Sequence, residues 1–232
     1  MIARGEVGRA LEASDGSMER VIAEKVKRGT EVDNFTALIL EMLLEVLDRK
    51  RAKLPRSSSA SRMGQASVDA RGHLFMANNA SYILKVMDDK LKGAAESLLQ
   101  AVDCVKRRYE GAVDDFVSSG WSLLLEHVAI INGESLHRDA KGKLTFESGR
   151  VLKSRFQSFW GELDELLAGC GPLVVTSGTL RSTLRKRLVA LLGAPVRAFF
   201  EAFSAEEFSK SKQETYLRGG AVEVEEKLAH LF

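Results

Sequence analysis

The feature that most constrains this chain is the spacing of its apolar residues. From about Asp33 onward they recur three and four positions apart, the pattern of helices that bury one face. Strand-type alternation occurs only at Leu173, Val174 and Val175, too short to found a sheet. Three prolines and long stretches of Leu, Ala, Glu, Lys and Arg, all good helix formers, point the same way. The expected fold is all-α: successive amphipathic helices packed as antiparallel pairs and stacked as bundles into a short rod. No repeat of fixed period is visible.

Residues 1–30 have weak periodicity and a turn-prone patch at Ser14, Asp15, Gly16 and Ser17, and read as a poorly ordered leader to a helical region over 31–232. Phe35, Leu38, Ile39, Met42, Leu43, Val46 and Leu47 share the face of a first helix, with Asp33 or Asn34 as N-cap and Pro55 as its stop. Residues 55–67 are rich in serine and read as a flexible loop. A second stripe runs from Leu74 to Met87, and a third from Leu98 to Ile131, about 50 Å of helix with Gly111 or Gly120 as weak points. After a polar connection over 132–149, a fourth helix spans Val151 to Leu167 and ends at Gly169–Pro172. A fifth starts near Ser177 or Thr179 and is kinked or divided at Pro195, and a last one begins near Gly220.

With 34 Lys and Arg against 32 Asp and Glu the formal net charge is +2, which excludes a uniformly basic nucleic-acid binder and an acidic solvating tail. The charge is nevertheless segregated. Between residues 178 and 220 stand Arg181, Arg185, Lys186, Arg187, Arg197, Lys210, Lys212 and Arg218 against Glu201, Glu206, Glu207 and Glu214, a local net of +4. Such a surplus fits a solvated helix face, or an anion-binding patch for phosphoinositide headgroups or acidic protein. No apolar run reaches the roughly 20 residues that cross a bilayer, so any membrane contact is expected to be peripheral. Residues 1–20 lack the continuous apolar core of a signal peptide.

Chemistry is sparse. Cys104 and Cys170 stand far apart with no CxxC, which indicates neither a disulfide scaffold nor a zinc site and fits a reducing setting. His73, His127, His137 and His230 belong to no metal-ligand spacing, and no cofactor is expected. No GxSxG elbow, Walker loop or GxGxxG occurs. Neighbours on a helix point about 100° apart, so Asp88/Asp89 and Asp114/Asp115 read as solvated faces rather than acid–base pairs. Phe116, Trp121, Phe156, Phe159 and Trp160 read as core rather than a ligand box. Asn78 and Asn79 lie in an otherwise apolar helix and either bond across to a neighbouring helix or face solvent.

Three segments together resemble a known family, the seventy-kilodalton subunit of the exocyst, the vesicle-tethering complex. One is the apolar stretch Leu74–Ala77 followed by Asn78, Asn79, Tyr82 and Ile83. The second is Lys153, Phe156 and Phe159, then the turn at Thr176 and Ser177, then Leu180, Arg181, Leu184 and Arg185, closing on Phe199, Phe200 and Phe203. The third is Tyr216, Leu217 and Arg218 followed by Leu228, Leu231 and Phe232. Their order and spacing are similar to the C-terminal part of a family member.

The resemblance implies a non-enzymatic rod of stacked bundles that acts in exocytosis as a membrane-proximal tether, cytoplasmic and peripheral at the inner face of the plasma membrane. Other exocyst subunits would be its partners, and Rho-type GTPases are a further class the family admits. Family members bind phosphatidylinositol 4,5-bisphosphate through basic residues near the C-terminus. Arg218 matches one of these, whereas Thr215 stands where another lysine is expected. Lys210 and Lys212 lie close enough to compensate, and Arg181 and Arg185 could extend the patch. Two rival readings are a helical interaction scaffold without lipid binding, which the near-balanced charge supports, and a nucleic-acid-binding helical domain using Arg181 to Arg187.

Overall fold

The computed structural model describes residues 31–54, 62–88, 91, 93–129, 136–171, 173–209 and 213–232. The leader, residues 55–61 of the serine-rich segment, Asp89, Lys210 and Lys212 lie outside the described residues. In chain order the helices are α1 (Glu31–Ala52), α2 (Arg62–Met87), α3 (Glu96–Ser119), a 3-10 turn (Trp121–Leu124) running into α4 (Leu125–Val128), α5 (Phe146–Cys170), α6 (Gly178–Phe203), α7 (Gln213–Leu217) and α8 (Gly220–Ala229). The only pairing of strand type among the described residues is an isolated bridge between Arg138 and Leu144. The fold is all-α, as the periodicity predicts.

α2 packs against α1, α3 and α5, while α6 packs against α8, α3, α4 and the 3-10 turn. One continuous apolar core runs through all of them. At the α5–α6 contact the core is aromatic. The Phe156 ring centroid lies 4.7 Å from that of Phe199, 5.2 Å from Phe200 and 5.2 Å from Phe208. Phe116, Trp121, Phe156, Phe159 and Trp160 are all buried, so the aromatic residues singled out in the sequence are core.

Several boundaries differ from those expected. α1 begins two residues before Asp33, so neither Asp33 nor Asn34 caps it. Both reach instead to the start of α3: the Ala95 amide donates to Asp33 Oδ2 at 2.7 Å, and the Ser97 hydroxyl donates to Asn34 Oδ1 at 2.6 Å. A carboxylate from one helix thus satisfies an orphan amide of another and meets the positive end of its dipole. α2 begins at Arg62, inside the segment read as loop, because Ala66, Val68 and Ala70 are buried against neighbouring helices.

The long third helix expected to Ile131 stops at Ser119, and of the two weak points only Gly120 is used. A Cβ there would lie 2.8 Å from Leu166 Cδ2 and 3.3 Å from Ala66 Cβ, so the bend exists where α3 must pass close to α5 and α2. α6 runs unbroken through Pro195. Pro195 forfeits one helical hydrogen bond, but Leu192, Val196, Phe199 and Phe200 are buried on both sides of it and hold the helix on the core. α5 and α6 begin at true caps: Thr145 accepts from the Ser148 amide and Ser177 from the Leu180 amide.

The first apolar stripe is the largest departure. The buried face of α1 is Asn34, Ala37, Leu38, Leu40, Leu44 and Leu47. Phe35, Ile39, Met42, Leu43 and Val46, five of the seven residues that define the stripe in sequence, are exposed.

Two substitutions test these contacts by urea denaturation. Phe156→Ala is expected to cost about 3–5 kcal/mol, because the rings around it cannot close the space. Asp33→Ala is expected to cost about 1 kcal/mol, the ordinary value of a lost cap.

Candidate functional site

The sequence places its candidate lipid-binding residues in one basic stretch, and the fold takes that stretch apart. Arg185 turns toward the end of the chain: its Nε donates to the Leu231 carbonyl at 2.9 Å and its Nη2 to the Phe232 oxygen at 2.7 Å. Arg187 pairs with Asp114 of α3, and Arg197 with Glu225 of α8 at 2.5 Å. Arg181 and Lys186 have no ion pair among the described residues. Lys210 and Lys212 lie outside those residues.

Arg218 sits at a chain reversal between α7 and α8. Its φ of 47° is in the left-handed region, which favours glycine and strains other residues, and Gly220 follows with φ 67°. Two contacts offset that strain. The guanidinium carbon lies 4.7 Å from the Trp160 ring centroid, and Nη2 is 2.9 Å from Asp164 Oδ2. The same Trp160 donates its indole N–H to the Tyr216 carbonyl at 2.7 Å, and Lys153 Nζ lies 5.0 Å from the Tyr216 ring centroid. The Tyr216–Arg218 motif is therefore a clasp that fastens α7 to the outer side of α5. Thr215, in the neighbouring position, is exposed.

The structure also makes a constellation that sequence reasoning missed. α8 folds back on α6 and brings Lys227 and His230 to the same groove as Arg181. The walls of this groove, about 480 Å³, are apolar, with Leu173, Val175 and Leu231 among them. Lys227 is also 3.7 Å from Asp164 and 3.5 Å from Glu223. His230 Nδ1 is 2.7 Å from the Glu226 carbonyl, which can only accept, so Nδ1 carries a proton. A groove with cations on an apolar bed can hold an acidic group attached to something greasy. Spacing in the sequence carries no signal for it, because Arg181 and Lys227 meet only through helix packing.

The remaining candidates are structural. Among the described residues no three His, Cys, Asp or Glu side chains are grouped to hold a metal. His127 Nε2 lies 2.8 Å from Glu162 Oε2. Asp115 lies beside His73, and Asp114 is taken by Arg187. Burial pushes the Cys170 thiol up to about 12, which makes it a poor nucleophile. Asn78 bonds across to the segment between α5 and α6: its Nδ2 donates to the Val174 carbonyl at 3.2 Å and its Oδ1 accepts from Thr176 Oγ1 at 3.2 Å. Asn79 donates to the Phe75 carbonyl of its own helix at 2.7 Å.

His73 gives the fold a pH dependence. Burial, with Arg51 adding to it, holds its imidazole below the ordinary value of 6.5, and the carboxylates of Asp115 and Asp69 only partly oppose this. Its Nδ1 is 3.4 Å from Asp115 Oδ2 and is buried without a hydrogen bond. As pH falls through about 6.5 the unfolded chain takes up this proton before the folded one, so stability falls. Urea midpoints from pH 8 to pH 5 should decline in the wild type, and His73→Gln should flatten that decline.

A search of curated proteins found no match to the chain. A family model does match, over residues 9–230, and it describes the C-terminal region of the Exo70 protein of the exocyst complex. The match takes in every helix described above, together with the Asn78–Thr176 bridge, the aromatic α5–α6 contact and the Tyr216–Arg218 clasp. The chain therefore belongs to the family of Exo70 C-terminal regions, components of the exocyst complex.

Proposed function

We propose that the chain acts in exocytosis as an exocyst component that helps tether secretory vesicles at the inner face of the plasma membrane. It does so through contacts with other exocyst subunits and through weak binding of phosphatidylinositol 4,5-bisphosphate. Membership of the family is the observation that carries this reading. The family is one of tethering scaffolds rather than enzymes. No helix among the described residues is long and apolar enough to cross a membrane. Rho-type GTPases remain part of the proposal only as the resemblance implies them.

For the lipid contact the geometry divides the candidate residues. Arg181 and Lys186 are available as they stand; Lys210 and Lys212, which lie outside the described residues, stay in the proposal on their place in the sequence. Arg185 and Arg218 must first leave internal partners. Arg218 is held by a partly exposed ion pair with Asp164, and exposed pairs contribute only about 0–1 kcal/mol, so a multivalent headgroup can compete for it; Arg185 is held by part-buried hydrogen bonds to backbone oxygens and is the harder of the two to release. Each basic residue near an anionic leaflet contributes about 1 kcal/mol. A handful gives reversible, salt-sensitive attachment that needs other subunits to become stable.

One observation favours the rival reading, a helical scaffold without a lipid role: Arg187, Arg197 and Arg218 are each neutralised by a carboxylate of this chain. Sedimentation with liposomes at low salt separates the two. The purified chain should bind liposomes containing phosphatidylinositol 4,5-bisphosphate better than neutral ones, and Arg181→Glu combined with Lys186→Glu should reduce that binding at least fivefold. Asp164→Asn, which removes the carboxylate partner of Arg218 while Lys227 keeps Glu223, should raise it about fivefold, the equivalent of about 1 kcal/mol. Equal sedimentation with both liposome types, while exocyst subunits are still captured, would establish the scaffold reading.

A further inference from the structure

Leu173, Val174 and Val175, the strand-like run in the sequence, lie in the connection between α5 and α6 and belong to neither helix. Val175 is buried, whereas Val174 is 75% exposed. The connection is held in place from α2: Asn78 Nδ2 donates to the Val174 carbonyl, and Asn78 Oδ1 accepts from Thr176 Oγ1. Val174 is therefore a fixed apolar ridge, and a cavity opens on each side of it.

On one side, Leu54 just beyond α1 and Val68, Leu74 and Phe75 of α2 line a cavity of about 260 Å³ with Arg71 in its wall. On the other is the groove of about 480 Å³ that contains Arg181, Lys227 and His230. Leu173 and Val174 line both, so the two cavities lie side by side. Each joins an apolar lining to a half-buried guanidinium that has no ion pair among the described residues, Arg71 in the first and Arg181 in the second. Among the described residues neither cavity is lined by an Asp or a Glu. A half-buried charge without a counter-charge is costly to hold, and so is a recessed apolar surface left in water. A single occupant relieves both.

We propose that this double cavity docks an extended acidic peptide of a partner protein, which places an apolar side chain in each cavity and a carboxylate on each arginine. Side chains two positions apart in an extended peptide lie on one face, about 7 Å from each other, which lets the peptide straddle a ridge one residue wide. Charge complementarity and shape together select a peptide over a lipid surface. A leaflet presents its phosphates in one plane with the hydrocarbon beneath, and so cannot deliver acidic and apolar groups together into two recesses on either side of a ridge. Asn78 orders the ridge before binding, so little conformational freedom is lost when the peptide arrives. The proposal goes beyond the lipid contact and shares only Arg181 with it.

The test is selection from a displayed library of random peptides of about twelve residues on the immobilised full chain, with the soluble Val174→Asp chain in excess to remove peptides that bind elsewhere. A synthetic copy of the most enriched peptide, labelled for fluorescence polarisation, then serves as the probe. It should carry Asp or Glu beside apolar residues, and its affinity should fall at least tenfold on Val174→Asp and on Arg71→Glu. Arg71→Lys, which keeps the charge and loses the forked guanidinium, should fall between. Amide exchange of residues 173–177 in the wild-type chain should slow when the probe is added, a readout that a folding defect in a variant cannot imitate. Enrichment of basic peptides, or of none sensitive to Val174→Asp, would overturn the proposal. So would a loss of liposome binding in Arg71→Glu as large as that in Arg181→Glu combined with Lys186→Glu, which would give this surface to the membrane. Val174→Asp and Arg71→Glu should leave liposome sedimentation unchanged, so failure here and failure of the lipid contact are read separately.

Discussion

Everything in the second half of the molecule depends on the packing of Phe156 against α6 and the turn beyond it. Three ring contacts converge on that one side chain, from Phe199, Phe200 and Phe208. Aromatic pairs of this geometry contribute about 0.5–1.5 kcal/mol each beyond the area they bury. The cluster explains why α6 survives Pro195: the rings beyond the proline are anchored before the missing hydrogen bond matters. It also fixes residues 203–208 against α5, and so decides where α7 arrives.

That arrival point sets the character of the basic region. With α7 fastened beside Trp160, Arg218 stacks on the indole and meets Asp164, while α8 is returned along α6. A residue that the family resemblance marks for headgroup binding is thus also a structural clasp. In the proposed lipid contact the two roles would share one guanidinium and compete. Asp164, which faces both Arg218 and Lys227, is the internal rival of any anionic surface at this end of the molecule.

The first half is held by contacts of a different kind. α2, lined with Ala66, Ala70, Ala77 and Ala80, lets three neighbours approach its axis closely. Asp33 and Asn34 direct their polar atoms to the start of α3, so α1 and α3 are bound end to side as well as by burial. This leaves α1 with a second apolar face turned outward, and the stripe most visible in its sequence is not the one that packs on α2 and α3.

By itself the sequence determined the class of fold, the aromatic core, the helix start at Ser177 in outline, and the absence of familiar catalytic spacing. These follow from local rules: a 3.6-residue period, side-chain capping and burial of large rings act within a few residues of where they are read. The breaks at Gly120 and Pro195 could be located but not decided, because one depends on how near Leu166 comes and the other on what the helix rests against. Only the tertiary structure decided which face of α1 is buried, that Arg181 would share a groove with Lys227 and His230, and that Arg185, Arg187, Arg197 and Arg218 would be held by distant partners. Those outcomes depend on which helices become neighbours, and the charge of a residue does not reveal whether the opposite charge that meets it lies in solvent, on a membrane or on another helix of the same chain.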